Sequence, residues 1–110
     1  MNSLLYKNRE FISKLASLAN NKKQLLKFIK NSKNSEIRSF GELAYNILHG
    51  GVSCTPHMKK KLRPYKADIR LLSHKTGSTK KKKSKLLNGK GLLLSVLLPL
   101  AIQTISRLFK

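Results

Sequence analysis

Apolar residues fall along this chain in three short helical stripes, then a fourth with cations beside it, then a run that is apolar all round. Phe11, Ile12, Leu15, Leu18 and Ala19 keep the i, i+1, i+4, i+7, i+8 spacing of one helix face. Asn20 and Asn21 break that pattern and offer a cap to the next helix. Leu25, Leu26, Phe28 and Ile29 make a second, shorter patch before the polar segment from Asn31 to Ser35. The third stripe is Ile37, Phe40, Leu43, Ala44, Ile47 and Leu48, with Ser35 as the expected N-cap and Glu36 at the positive end of the helix dipole. Gly50 and Gly51 stop it. Three helices this short can bury one another's stripes, but such a bundle is marginal alone.

The fourth stripe opens at Thr55-Pro56, an N-cap followed by proline at the first helical position. Met58, Leu62, Tyr65, Ile69 and Leu72 form its apolar seam, and Lys59, Arg63, Lys66 and Arg70 repeat the same spacing one residue along. The helix therefore has a seam to bury and a basic stripe to offer. Pro64 lies inside it and should kink it or split it in two. The segment from His74 to Thr79 reads as a turn, and Ser78 or Thr79 can cap a last basic helix through Lys80, Lys81, Lys82, Lys83, Lys85 and Leu87.

The final run, residues 91–108, contains eleven Leu, Ile, Val or Ala residues. As a helix it would span roughly 27 Å, just short of a bilayer core. Ser95, Pro99, Gln103, Thr104 and Ser106 weaken a transmembrane reading. An interfacial, membrane-active or packing helix is expected, kinked at Pro99. The fold class these patterns give is all-α: a small bundle of short amphipathic helices, a basic helical segment and a hydrophobic C-terminal helix.

Charge sharpens the division. Residues 1–51 carry nine Lys/Arg against three acids, residues 52–90 thirteen against Asp68 alone, and residues 91–110 only Arg107 and Lys110. The net charge of +20 calls for a polyanionic partner, either nucleic acid or an anionic membrane face. Lysine offers a point charge without base-reading geometry, and Tyr65 is the one aromatic in the basic segment. Sequence-independent, salt-sensitive contact with a phosphate backbone is the expected mode. The candidate contacts are Lys59, Lys60, Lys61, Arg63, Lys66, Arg70, Lys80, Lys81, Lys82, Lys83 and Lys85.

Other chemistry is poorly supplied. A single cysteine, Cys54, allows no internal disulfide framework, and Met1 to Asn8 holds too little apolar sequence for a secretory signal. Four scattered acids, with no acid pair and no nucleophile motif, do not predict an enzyme. Cys54-x-x-His57, with His49 and His74, invites a zinc reading, but structural zinc sites bring two or more cysteines at paired spacing. No metal and no cofactor are expected.

Two glycine motifs fall where the composition changes: Leu48-His49-Gly50-Gly51 before Val52, and Leu87-Asn88-Gly89-Lys90 before Gly91. Each can be a helix cap or a hinge. Together they resemble the cleavage pattern of the adenovirus-type maturation cysteine protease, an aliphatic residue, any residue, then Gly-Gly or Gly-x-Gly. The order of segments also resembles the adenovirus core protein X family, precursors of a basic mu peptide, with a leader, a Gly-Gly site, a cationic peptide, a second site and a Leu/Ile/Pro-rich tail. Ala44-Tyr45-Asn46-Ile47-Leu48, Lys61-Leu62-Arg63-Pro64-Tyr65-Lys66 and the run from Lys75 to Lys83 are similar to small basic proteins of Polinton/Maverick elements and adintoviruses. The likeness covers about residues 40–102. Cations here are mostly Lys where core protein X has Arg, and the leader is longer.

That resemblance implies a division into a helical leader (1–51), a basic DNA-binding peptide (52–90) and a hydrophobic, membrane-active tail (91–110). It implies a virion core protein precursor, acting in the virion and the host nucleus, cut by a maturation protease to free a peptide that condenses the double-stranded viral genome. Capsid proteins are further expected partners. The alternative is a membrane-active capsid peptide precursor whose tail aids membrane penetration and whose cations meet anionic lipid. A cellular basic nuclear protein with fortuitous glycines is the third possibility.

Overall fold

Phe11 stands between Phe28, stacked at 5.5 Å, and Phe40, met edge-on at 6.4 Å, so three helices of the leader close on one aromatic centre. The computed structural model describes residues 4–50, 54–74 and 77–108, and over these the chain is all-α, as the patterning predicts. The helices are α1 (Leu4–Lys7), α2 (Arg9–Ser17), α3 (Lys22–Lys30), α4 (Asn34–Leu48), α5 (Pro56–Leu62), α6 (Lys66–Ser73), α7 (Thr79–Leu87) and α8 (Leu92–Leu108). Short 3-10 turns, Arg63–Tyr65 and Asn88–Gly91, join α5 to α6 and α7 to α8.

Local chemistry accounts for most of the boundaries. Asn21 Oδ1 accepts from the Gln24 N–H at 3.2 Å, starting α3, and Thr55 Oγ1 does the same for Met58 at 3.2 Å, starting α5. Ser78, not Thr79, caps α7 by accepting from the Lys81 N–H. The start of α4 lies before the expected Ser35. Asn34 is its first residue, and the Glu36 carboxylate accepts from the Lys33 N–H at 2.8 Å, half of a capping box closed from the third helical position. Pro64 splits the fourth stripe as expected, replacing one long helix with α5, a 3-10 turn and α6.

Burial keeps to the stripes. Ile12, Leu15, Ile29, Ile37, Phe40 and Leu43 are sealed from solvent, and so are Leu72 of α6 and Leu86 of α7. The hydrophobic tail belongs to this same core. Leu93, Leu94, Leu97, Leu98, Leu100, Ala101 and Ile105 are buried, and α8 packs against α1, α2, α4, α5 and α7. A helix apolar all round satisfies itself by lying inside a protein. The leader's helices, four rather than the three expected because Leu4–Lys7 adds a short first one, gain a further packing partner from the far end of the chain. Leader, basic segment and tail thus share one hydrophobic cluster, in a body of nearly equal extents, 31 × 30 × 29 Å. Pro99 sits on the exposed side of α8, where the helix runs on past it. Among the described residues no single helix is long and apolar enough to cross a membrane.

Candidate nucleic-acid interface

The arm formed by α5, its 3-10 turn and α6 lies on the core by its seam. Leu62, Ile69 and Leu72 are buried and Met58 and Tyr65 half-buried, so the seam stays in register across the break at Pro64. The cations one residue along, Lys59, Arg63, Lys66 and Arg70, are thereby turned outward, and Lys60 and Lys61 beside them are exposed as well. Acids that could neutralise them are engaged elsewhere. Glu36 caps α4, Glu42 accepts from the Leu4 N–H at 2.7 Å, and Asp68 pairs with Lys85 at 3.4 Å. The arm is therefore a one-sided cationic surface with a packed, apolar back.

What holds the arm down is a close helix crossing. Gly41 of α4 lies against the Leu72 carbonyl of α6, where an added methyl would come within 2.6 Å of that oxygen. A side chain there would push the arm off the leader.

The lysine run of α7 does not present itself as one surface. Lys80 and Lys81 are exposed and remain available. Lys82, expected to contact phosphate, is 3% exposed and its ammonium donates to the His74 carbonyl at the end of α6. Burial, and secondarily the positive charge of Arg38, hold its pKa below the ordinary lysine value. The adjacent Lys83 is half-buried and donates to the carbonyls of Lys30, at 3.2 Å, and Ser32, at 2.9 Å, closing the end of α3. Lys85 is taken up by Asp68. Two neighbouring lysines thus cap two helix C-termini, where unpaired carbonyls and the negative dipole end favour a cation. The signal was present in the spacing: Lys82 lies four residues before Leu86, on the same buried face of α7.

The two glycine motifs also part company. Leu48 is 38% exposed at the end of α4, and Gly50 comes next but one in a left-handed conformation, φ 76°, with open space around it. Gly51 and Val52 lie outside the described residues. At the second motif Leu87 packs against the core, and Gly89 and Lys90 belong to the 3-10 turn. Gly91 is buried at φ 79°, with a methyl there meeting the Leu26 side chain at 3.3 Å. One motif is a solvent-facing helix end; the other is folded into the joint between α7 and α8. Among the described residues no three His, Cys, Asp or Glu side chains gather as a metal site would require.

These features define a small all-α protein with a cationic face built on a single core. No protein-family model, curated protein or solved structure was found that matches the chain.

Proposed function

We propose that this chain is the precursor of a virion core protein, of a virus or virus-like transposon, that binds and condenses double-stranded DNA without reading its sequence. The observation that carries the reading is the row of exposed cations on the α5–α6 arm, backed by buried seam residues, with the arm's own acid, Asp68, taken up by Lys85. Phosphates can be met along that row, whose four lysines are point charges without base-reading geometry, and the two guanidiniums of Arg63 and Arg70 can grip phosphate oxygens as forks. Lys80 and Lys81 extend the footprint from α7.

In this reading a maturation protease of the adenovirus type acts first at the end of α4, where Leu48, His49 and Gly50 are exposed, and the second cut, after Lys90, comes once the joint between α7 and α8 opens. Until then the basic segment shares one core with leader and tail, and the tail stays covered chiefly by the leader helices it packs on. The membrane-active alternative requires α8, with most of its apolar residues buried, to leave the core, so the DNA reading is favoured.

The test is fluorescence anisotropy of the full chain with two duplexes of unrelated sequence over a range of salt. Equal affinities are expected, with log K falling by about 0.9 for each phosphate neutralised per decade of salt. Absence of binding at low salt, or a strong preference for one duplex, would remove the proposal.

A further inference from the structure

The cationic arm has a second property that DNA does not use. Between the end of α4 and the arm lies a groove of about 740 Å³. Its floor is apolar, formed by Ile47 and Leu48 of α4 with Leu62 and Ile69 of the arm. Along its rim stand Lys59, Arg63 and Lys66, all exposed, and among the described residues no acid lines it. A phosphate backbone can engage the rim but has nothing to place on the floor.

From this combination we infer that the groove is a docking site for an acidic amphipathic helix of a partner protein, one that lays an apolar stripe on the floor and carboxylates against the rim. The rim cations follow one another along the arm at sequence intervals of four and three, Lys59 in α5, Arg63 in the 3-10 turn and Lys66 at the start of α6. Seven residues of helix and 3-10 turn span roughly 10–12 Å, about two turns of a facing helix. A partner with acids at matching intervals meets each cation while its leucines cover Leu48 and Ile47. Length and openness favour a helix over a lipid. A single headgroup cannot span the row, and an acyl chain in a groove open along one side would stay half in water. Because Lys59, Arg63 and Lys66 also belong to the DNA surface, the two ligands compete: the partner that holds the chain during assembly is displaced by the genome, or holds it away from DNA. The inference goes beyond the DNA reading and does not need it.

The probe is a fluorescent synthetic peptide of Leu, Glu and Ala that folds with leucines on one face and glutamates along its edge, compared with an isomer of the same composition whose leucines are scattered. The full chain is expected to bind the amphipathic peptide at least roughly tenfold more tightly. Leu48→Gln, at an exposed position, should weaken that binding by about the same factor and leave duplex binding unchanged. Leu92→Gln, at a position still more exposed and outside the groove, should change neither. Lys66→Gln should weaken both ligands, and unlabelled duplex should displace the peptide. Equal binding of the two isomers, or indifference to Leu48→Gln with the helical circular dichroism intact, would reduce the groove to generic electrostatics and overturn the proposal. Leu48-sensitive binding to phosphatidylglycerol vesicles without peptide binding would overturn it in favour of lipid. Peptide binding without duplex binding would sustain it while removing the DNA reading.

Discussion

Replacing Gly41 with alanine sets two effects of opposite sign against each other, and the structure decides between them. In an exposed helix interior the change stabilises by about 1 kcal/mol, because glycine loses more backbone freedom on folding. Here the new methyl would lie 2.6 Å from the Leu72 carbonyl oxygen, well inside contact distance, and the Lys82 ammonium is 4.0 Å away on the same side. The obstructing atom is helix backbone, at the buried Leu72, so α6 itself has to move. Overpacking of this kind costs about 1–3 kcal/mol, and a fixed backbone obstacle puts the case at the upper end. The expected net loss is about 1–2 kcal/mol, or roughly 4–8 °C in Tm for a chain of this length. Thermal unfolding monitored by circular dichroism measures it, with Gly50→Ala as the companion. Gly50 has open space around it, so that variant isolates the left-handed backbone penalty of about 1 kcal/mol. A rise in Tm for Gly41→Ala, as helix propensity alone dictates, would show that α4 and α6 do not cross this closely.

Three further outcomes rest on the same geometry. The triple variant Arg63→Gln, Lys66→Gln, Arg70→Gln should lower the salt slope of duplex binding by about 2.7 if each cation neutralises one phosphate, with Tm nearly unchanged. Lys83→Ala should cost about 1 kcal/mol in denaturant unfolding, because the Lys30 and Ser32 carbonyls at the end of α3 lose their donor. For Lys82 the folded-state pKa is depressed, so the unfolded chain holds that proton to higher pH than the folded one. Stability should therefore rise with pH between the lowered value and the ordinary lysine range. Unfolding midpoints of the wild type minus those of Lys82→Met, measured across that window, should climb toward alkaline pH; a flat difference would place the Lys82 ammonium in solvent.

Much of this architecture can be read from local pattern. The periodic stripes of α2, α4 and the α5–α6 arm mark their buried faces, and Asn21, Thr55 and Ser78 cap helices because a short polar side chain next to a stripe has little else to do. Pro64 breaks the arm where its missing N–H and ring demand. What periodicity does not carry is the identity of the partner face. The run from Leu92 to Leu108 is apolar enough for a lipid surface or a protein interior, and only the shortage of core in the leader points inward. Lysine hides its role in the same way. Its long aliphatic stem lets Lys82 lie buried with its charge on a helix end, while Lys80 and Lys81, two and one residues earlier, face water. Lys59, Arg63, Lys66 and Arg70 could be placed from spacing, but the division within the lysine run depends on where the ends of α3 and α6 arrive in space.

The most direct test of a processed, DNA-binding precursor is digestion of the folded chain by an adenovirus-type maturation protease, with new N-termini read by mass spectrometry over time. A fragment beginning at Val52 is expected first, from the exposed end of α4, and one beginning at Gly91 only later or in mild denaturant, because that glycine is buried at the joint of α7 and α8. An intact chain, or cuts confined to the lysines, would return both glycine motifs to helix caps and contradict the account.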